Sequence, residues 1–321
     1  MKEEWLNRFK IVKFSFNFRA EENGNLPRYL GNTLRGGFGI TFRKIVCSDR
    51  NRDCRTCDQS TNCVYPYIFE TPGNEGNDKF SSYSDVPRPF IIEPDNNQKR
   101  VVIRGDPLQF RLILVGKAID YLPYFIFCFD KLGKNGIGSR RIAFELDEVC
   151  GFDFLQNRWI RLYDARERIL KGDLPIITAN ELSYESKDTL TLNFLTPTRI
   201  KYRESYITNM EFHVMMRNLL RRISMLMLCH CDSVLDIDIN ELIEESKTVE
   251  VLRWDLRWQN WTRYSSRKKE LMELGGFIGN VTYKGNFDKF MPFIALGEQI
   301  HIGKGTTFGL GKYVICSEER V

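Results

Sequence analysis

Two tandem α+β modules, each running strand, helix, strand, strand, helix, strand, are the fold class this sequence predicts. Three observations lead there. The 321 residues suit two domains of roughly 150 residues each. One order of alternating apolar strands and periodic helices occurs twice. A glycine-rich segment lies between helix and strand at matching places in the two halves. The boundary is expected near residue 175, with an N-terminal module at 1–175 carrying a Cys-rich insertion at about 46–90, and a C-terminal module at 176–321.

In the first module, Lys10 to Phe18 alternates as a half-buried strand does, Ile11 and Val12 leading into Phe14, Phe16 and Phe18. Pro27 opens a helix whose apolar positions Leu30, Leu34, Phe38, Phe42 and Ile45 recur every three or four residues. Gly31, Gly36, Gly37 and Gly39 lie within it, each costing about 1 kcal/mol relative to Ala, which suggests close approach of another backbone. The apolar stretch Val64 to Phe69 supplies the next strand of the count, followed by a Gly, Asn, Ser and Pro-rich loop up to Pro89. Pro107 to Val115 is a strand, Ala118 to Leu132 a helix and Ile142 to Val149 a strand. This order is that of the ferredoxin-like, or RRM-like, split unit.

The second pass begins near Thr178. Leu190, Leu192 and Phe194 alternate up to Thr196-Pro197, and Thr208 and Glu211 have capping-box spacing. Phe212, Met216, Leu219, Ile223, Leu226 and His230 trace one face of a long helix. Strands around Val249–Trp258 and Gly276–Tyr283, a helix marked by Phe290, Phe293, Leu296 and Ile300, and a strand at Leu310–Cys316 complete the unit.

Charged residues at 28% and apolar residues at 42% are globular values. A formal charge of +5 suits a nucleic-acid partner without requiring one. Between Val251 and Glu270 stand six Lys/Arg against two acids, with Trp254, Trp258, Trp261 and Tyr264 interleaved. Cations meet phosphate and rings stack on unpaired bases, so Arg263, Arg267 and Lys268 are RNA-contact candidates. Period-two spacing of Leu252, Trp254, Leu256 and Trp258 assigns at least half of these rings to the core. The opening MKEEWLNRFK lacks an apolar signal region, and no run of about 18 apolar residues is present. A cytoplasmic protein without membrane partners is expected.

Gly303-Lys304-Gly305-Thr306-Thr307-Phe308-Gly309-Leu310-Gly311 packs Gly303, Gly305, Gly309 and Gly311 between a helix and a strand. Such a loop can present successive backbone N–H groups as a phosphate cradle. It is neither a Walker loop, since Gly305 follows Lys304 where Ser or Thr is required, nor a dinucleotide fingerprint, which leads from strand into helix. Gly133 to Arg141 holds the matching place in the first module, with Arg140 and Arg141 as phosphate contacts or, alternatively, as part of a tight turn.

The segment Gly275-Gly276-Phe277-Ile278-Gly279, the aromatic helix after it and His301 to Gly311 resemble the C-terminal signature of CRISPR repeat-RNA processing endoribonucleases, the repeat-associated mysterious protein superfamily. Leu30-Gly31-Asn32-Thr33-Leu34-Arg35-Gly36-Gly37-Phe38-Gly39 and the Cys cluster after it are similar to that family's N-terminal motif. The resemblance spans nearly the whole chain. It implies tandem ferredoxin-like folds, a glycine-rich loop touching RNA, CRISPR repeat RNA as partner, and cleavage by the repeat's own 2′-hydroxyl without a catalytic cofactor. A homodimer or effector-complex subunits are further partners it brings into view. Many relatives carry a catalytic histidine on or just after the first helix, whereas Pro27 to Ile45 has none.

That reaction needs a base, an acid and cations. Histidine, with an ordinary pKa of about 6.5, suits the proton transfers. His230 lies on an apolar stripe and reads as core. His213 shares a polar face with Arg217 and Arg221. His301, at the mouth of the glycine-rich loop beside Lys304, is the catalytic candidate, with Tyr29 and Lys304. Arg28 and Arg35 are candidate phosphate contacts; a packed Tyr29 and an acid-paired Arg35 are the structural alternatives. Cys47, Cys54, Cys57 and Cys63 contain one CxxC pair and can hold a structural zinc or stand as four buried thiols. Rival functions are a non-cleaving RNA-binding subunit and a zinc-stabilised protein-interaction module.

Overall fold

The computed structural model describes residues 4–49, 53–70, 86–95, 98–182, 184–185, 187–265 and 270–316. The chain divides into two compact units, one formed by Phe9–Ile177 with Leu228–Asp232, the other by Thr178–Met227 and the residues from Ser233 on, joined by the described residues before Phe9. Both are α+β with antiparallel sheets, a tandem ferredoxin-like arrangement.

In the N-terminal unit, β1 (Lys10–Ala20) is followed by α1 (Leu30–Val46), β2 (Phe90–Pro94), β3 (Pro107–Val115), α2 (Leu122–Asn135), β4 (Phe144–Asp153) and β5 (Arg158–Asp164). The sheet order is β2-β3-β1-β4-β5, with Phe16 opposite Phe110 on one side and Val149 on the other. Phe14, Phe16 and Phe18 are all buried, and Phe16 stacks on Phe110 with centroids 5.2 Å apart. Phe38 of α1 stacks on Phe125 of α2 at 4.7 Å. Burying each such ring contributes about 1.5–3 kcal/mol.

The second strand differs from expectation. Val64 to Phe69 is helical, Pro66–Glu70 forming a π-helical turn. Pro66 has no N–H to give a ladder, and Ile68 and Phe69 bury instead, Phe69 against Phe38 at 5.3 Å. Phe90–Pro94 supplies the strand, pairing Ile92 with Leu112. Helix α1 begins at Leu30 rather than Pro27, after an extended Tyr29 (φ −130°, ψ 116°). Two of its glycines face side chains rather than backbone: a methyl group at Gly37 would strike Leu132, and one at Gly39 the Phe69 ring, while Gly36 has open space beside it.

The C-terminal unit contains β6 (Thr189–Thr198), α3 (Phe212–His230) up to Met227, α4 (Ile239–Ser246), β7 (Glu250–Gln259), β8 (Gly276–Lys284), α5 (Met291–Ile300) and β9 (Tyr313–Cys316). Its sheet order is β7-β8-β6-β9. Buried Tyr283 and Tyr313 donate to the carbonyls of Met210 at 3.0 Å and Ile294 at 2.7 Å, so their hydroxyls enter the core satisfied. Trp5 stacks on Phe293 at 4.8 Å.

Candidate functional site

Tyr29 stands as N-cap of α1 without a side-chain cap bond. Burial, then the nearby Glu93 carboxylate on β2, push its hydroxyl above the ordinary tyrosine range. A phenol so held stays neutral at pH 7 and can give a hydrogen bond but not take a proton. Glu93 itself is 4% exposed. Sequence reasoning missed it because a single acid between Ile92 and Pro94 carries no local signal. Arg28 is exposed beside Tyr29. Arg35 is half-buried, its guanidinium 4.7 Å from the Phe69 ring centroid, a cation–π contact.

After α2, Gly136 to Arg141 forms a tight turn closed by the Ile137–Ile142 bridge, with Arg140 and Arg141 exposed. In the C-terminal unit, Gly303, Gly305, Gly309 and Gly311 all have positive φ, between 73° and 84°. A side chain at Gly311 would strike the Ile302 carbonyl and one at Gly303 that of Arg199, so glycine is required by both conformation and space. Several N–H groups in and beside the loop are turned inward. Ile302 donates to Gly311, Lys304 to Arg199, Phe308 to Gly305, Gly309 to Thr306 and Gly311 to Pro197, at 2.8–3.1 Å. These N–H groups are spent inside the protein, and the loop's solvent-facing cation is the exposed Lys304.

His301 ends α5 with φ 61° and ψ 171°. It is fully buried, with Nδ1 3.1 Å from the Leu310 carbonyl. That hydrogen bond ties the two ends of the glycine-rich loop together. His230, in the N-terminal unit, is buried between the Tyr67 hydroxyl at 3.3 Å and the Pro87 carbonyl at 2.9 Å. His213 lies 3.4 Å from Glu211, its side chain 17% exposed.

The aromatic strand is β7, at the edge of its sheet. Leu252 and Trp254 are each 53% exposed and Trp258 38%, whereas their partners in the ladder, Val281 for Trp254 and Phe277 for Trp258, are buried. Alternation assigns these rings to the core, but the edge strand overhangs the buried layer and leaves them at the surface. Arg263 pairs through its backbone with Met272; Arg267 and Lys268 lie outside the described residues.

Cys47, Cys54, Cys57 and Cys63 line one hollow of about 40 Å³, with Asp49, Gln59 and Tyr65 also in its wall. Arg43 of α1 hydrogen-bonds Cys47. Burial, then Glu70, Cys47 and Cys63, push the Cys54 thiol up, against the pull of Arg43. Among the described residues no group of His, Cys, Asp and Glu is already drawn into a metal-holding arrangement. No helix of the described residues is long and apolar enough to cross a membrane.

Residues 192–313, which include most of β6, the helices after it and the whole glycine-rich loop, match the family model of the CRISPR-associated endoribonuclease Cas6. The C-terminal unit carries a Cas6 domain. Residues 9–174 match a second family model, described as an N-terminal domain. An uncharacterised protein of Archaeoglobus fulgidus is 25% identical to this chain over 296 residues, covering 91% of this chain and 93% of its own. The fold is shared with a Thermus thermophilus Cas6 solved as a product complex, at a TM-score of 0.58 and 15% identity, over 95% of this chain and 99% of that one. A second Cas6 product complex gives a TM-score of 0.54 at 16% identity, over 96% and 100% of the two chains.

Proposed function

We propose that this protein is a Cas6 enzyme that cuts CRISPR repeat transcripts into guide RNAs, with the RNA's own 2′-hydroxyl as nucleophile and no metal in the reaction. The observation that carries the reading is the match of residues 192–313 to the Cas6 endoribonuclease model. In this reaction the 2′ oxygen loses its proton and bonds to phosphorus while the bond to the 5′ oxygen breaks. That oxygen takes a proton, leaving a 2′,3′-cyclic phosphate upstream and a 5′-hydroxyl downstream. Tyr29, held neutral by burial and Glu93, is suited to donating a hydrogen bond to the phosphate or the departing oxygen. Arg28 and Arg35, in the same unit as Tyr29, are the cations assigned to the growing phosphorane charge, and Lys304 is assigned to RNA contact by the C-terminal unit. His301 acts through the loop it ties together.

A second reading, a Cas6-family RNA carrier that binds without cutting, is favoured by the full burial of His230 and His301. Incubating the purified protein with repeat RNA in EDTA separates the two. Discrete cleavage with cyclic-phosphate ends supports the enzyme; tight binding with intact RNA supports the carrier.

We also assign a structural zinc to Cys47, Cys54, Cys57 and Cys63. Four thiols around one small hollow fit tetrahedral thiolate coordination, and the ion would draw them inward and fix an insertion with little apolar surface to bury.

A further inference from the structure

Three segments distant in sequence meet at one end of the N-terminal sheet. Gly24–Asn25 pairs with Val101–Val102, the Leu26 N–H donates to the Arg100 carbonyl at 2.7 Å, and the Arg104 N–H donates to Asn23 Oδ1 at 2.8 Å. The turn after α2 closes the other side. There the Ala143 N–H donates to Glu22 Oε1 and the Glu21 N–H to the Ala143 carbonyl, both at 2.9 Å. Ile142 fills the space a side chain on Gly24 would need, and Gly138 lies close to the Pro27 ring.

These pairings bring the backbone segments of Arg28, Lys99, Arg100, Arg104, Arg140 and Arg141 to one junction, a rim on which every one of the six is exposed. Among the described residues none of the six is held in an ion pair. Two of the nearby acids are turned to the backbone: Glu22 accepts from Ala143, and Asp106 Oδ2 accepts from the Ile103 N–H at 3.1 Å. Glu21 is exposed beside them. Val101 and Ile103, 65% and 58% exposed, stand among the cations. Like charges collected without partners repel one another and lower folding stability. An extended polyanion relieves that repulsion, and apolar side chains between the cations suit the ribose and base faces of a nucleic acid better than they suit a lone phosphate.

We propose that this rim is a rail for the RNA phosphate backbone, leading along Arg28 to Tyr29 at the start of α1. The inference rests on the RNA reading above and adds where the strand is gripped. Lys99, Arg100 and Arg104 are new to the interface; they give affinity and register rather than sequence readout.

The test is the salt dependence of binding to repeat RNA, measured as the slope of log Kd against log salt concentration. Each phosphate left without its cation lowers that slope by about 0.7–0.9. R140Q/R141Q is therefore expected to lower it by roughly 1.5, K99Q/R100Q/R104Q by somewhat more, with binding at low salt weakened about tenfold or more. R166Q/R168Q removes the same charge from exposed positions outside the rim and should leave the slope near that of the unsubstituted protein. Rim variants that match this control, while the unsubstituted protein binds RNA, overturn the rail alone. Absence of salt-sensitive RNA binding by the unsubstituted protein overturns the RNA reading and the rail together.

Discussion

The Arg222 guanidinium donates twice to the Ile300 carbonyl, through Nε at 3.0 Å and Nη2 at 2.8 Å. Arg222 is 9% exposed, and Ile300 is the last residue of α5, immediately before His301. A buried cation thus closes the negative end of that helix where the glycine-rich loop begins. Arg222→Met leaves a buried carbonyl without its charged donors and is expected to lower stability by about 2 kcal/mol. Urea unfolding measures this; an unchanged midpoint would mean the carbonyl finds another donor.

His301 is predicted to act as a positioning residue. His301→Gln keeps a polar group able to meet the Leu310 carbonyl and should retain most RNA cleavage, whereas His301→Ala should lower both cleavage and melting temperature. Loss of cleavage in H301Q with unchanged melting and RNA affinity would assign the ring to proton transfer.

Tyr29→Phe removes the neutral hydroxyl and keeps the ring. Cleavage is expected to fall on the order of 10²-fold, as for loss of one preorganised donor, with Kd for RNA within about twofold. Equal losses in rate and affinity would place Tyr29 in binding alone.

Alkali should destabilise the fold through its buried phenols. Burial raises the hydroxyls of Tyr29, Tyr67, Tyr283 and Tyr313, so these groups keep their protons in the folded chain after the unfolded chain has lost them. Their contribution is fully present below the ordinary tyrosine pKa of about 10 and is lost as pH rises beyond it. Unfolding free energy followed from pH 8 to 11 should drop above about pH 10. A flat profile would contradict the assignment.

The cysteine cluster predicts one zinc per chain, released by C54S/C57S together with a fall in stability. Elemental analysis of the purified protein decides this. Burial pushes the thiols of Cys128 and Cys231 up to about 12 and that of Cys150 up to about 11, so they should stay inert to thiol reagents at pH 8. A metal-free protein with unchanged stability would leave Cys47, Cys54, Cys57 and Cys63 as ordinary thiols.

Periodicity exposed most of the fold. The alternation of Phe14, Phe16 and Phe18, and the stripe from Phe212 to His230, each reflect one buried face. It failed where composition and backbone chemistry diverge: Val64 to Phe69 is apolar enough for a strand but carries Pro66, while the true strand, Phe90–Pro94, is short and hemmed by Pro87, Pro89 and Pro94. The exposure of Trp254 could not be read from alternation, which cannot tell an edge from a centre. The Gly303–Gly311 loop stood out in sequence by its four glycines, each of which has positive φ. The proximity of Glu93 to Tyr29 and the gathering of Lys99, Arg100 and Arg104 with Arg140 and Arg141 depend on pairings between distant segments.

The central claim is that the RNA supplies its own nucleophile. It is tested most directly by giving the protein, in EDTA, two repeat RNAs identical except for a 2′-deoxy sugar immediately upstream of the mapped cut. Cleavage of the ribose substrate with the deoxy substrate bound equally well and left intact is the predicted result. Cleavage of both at that position would contradict it.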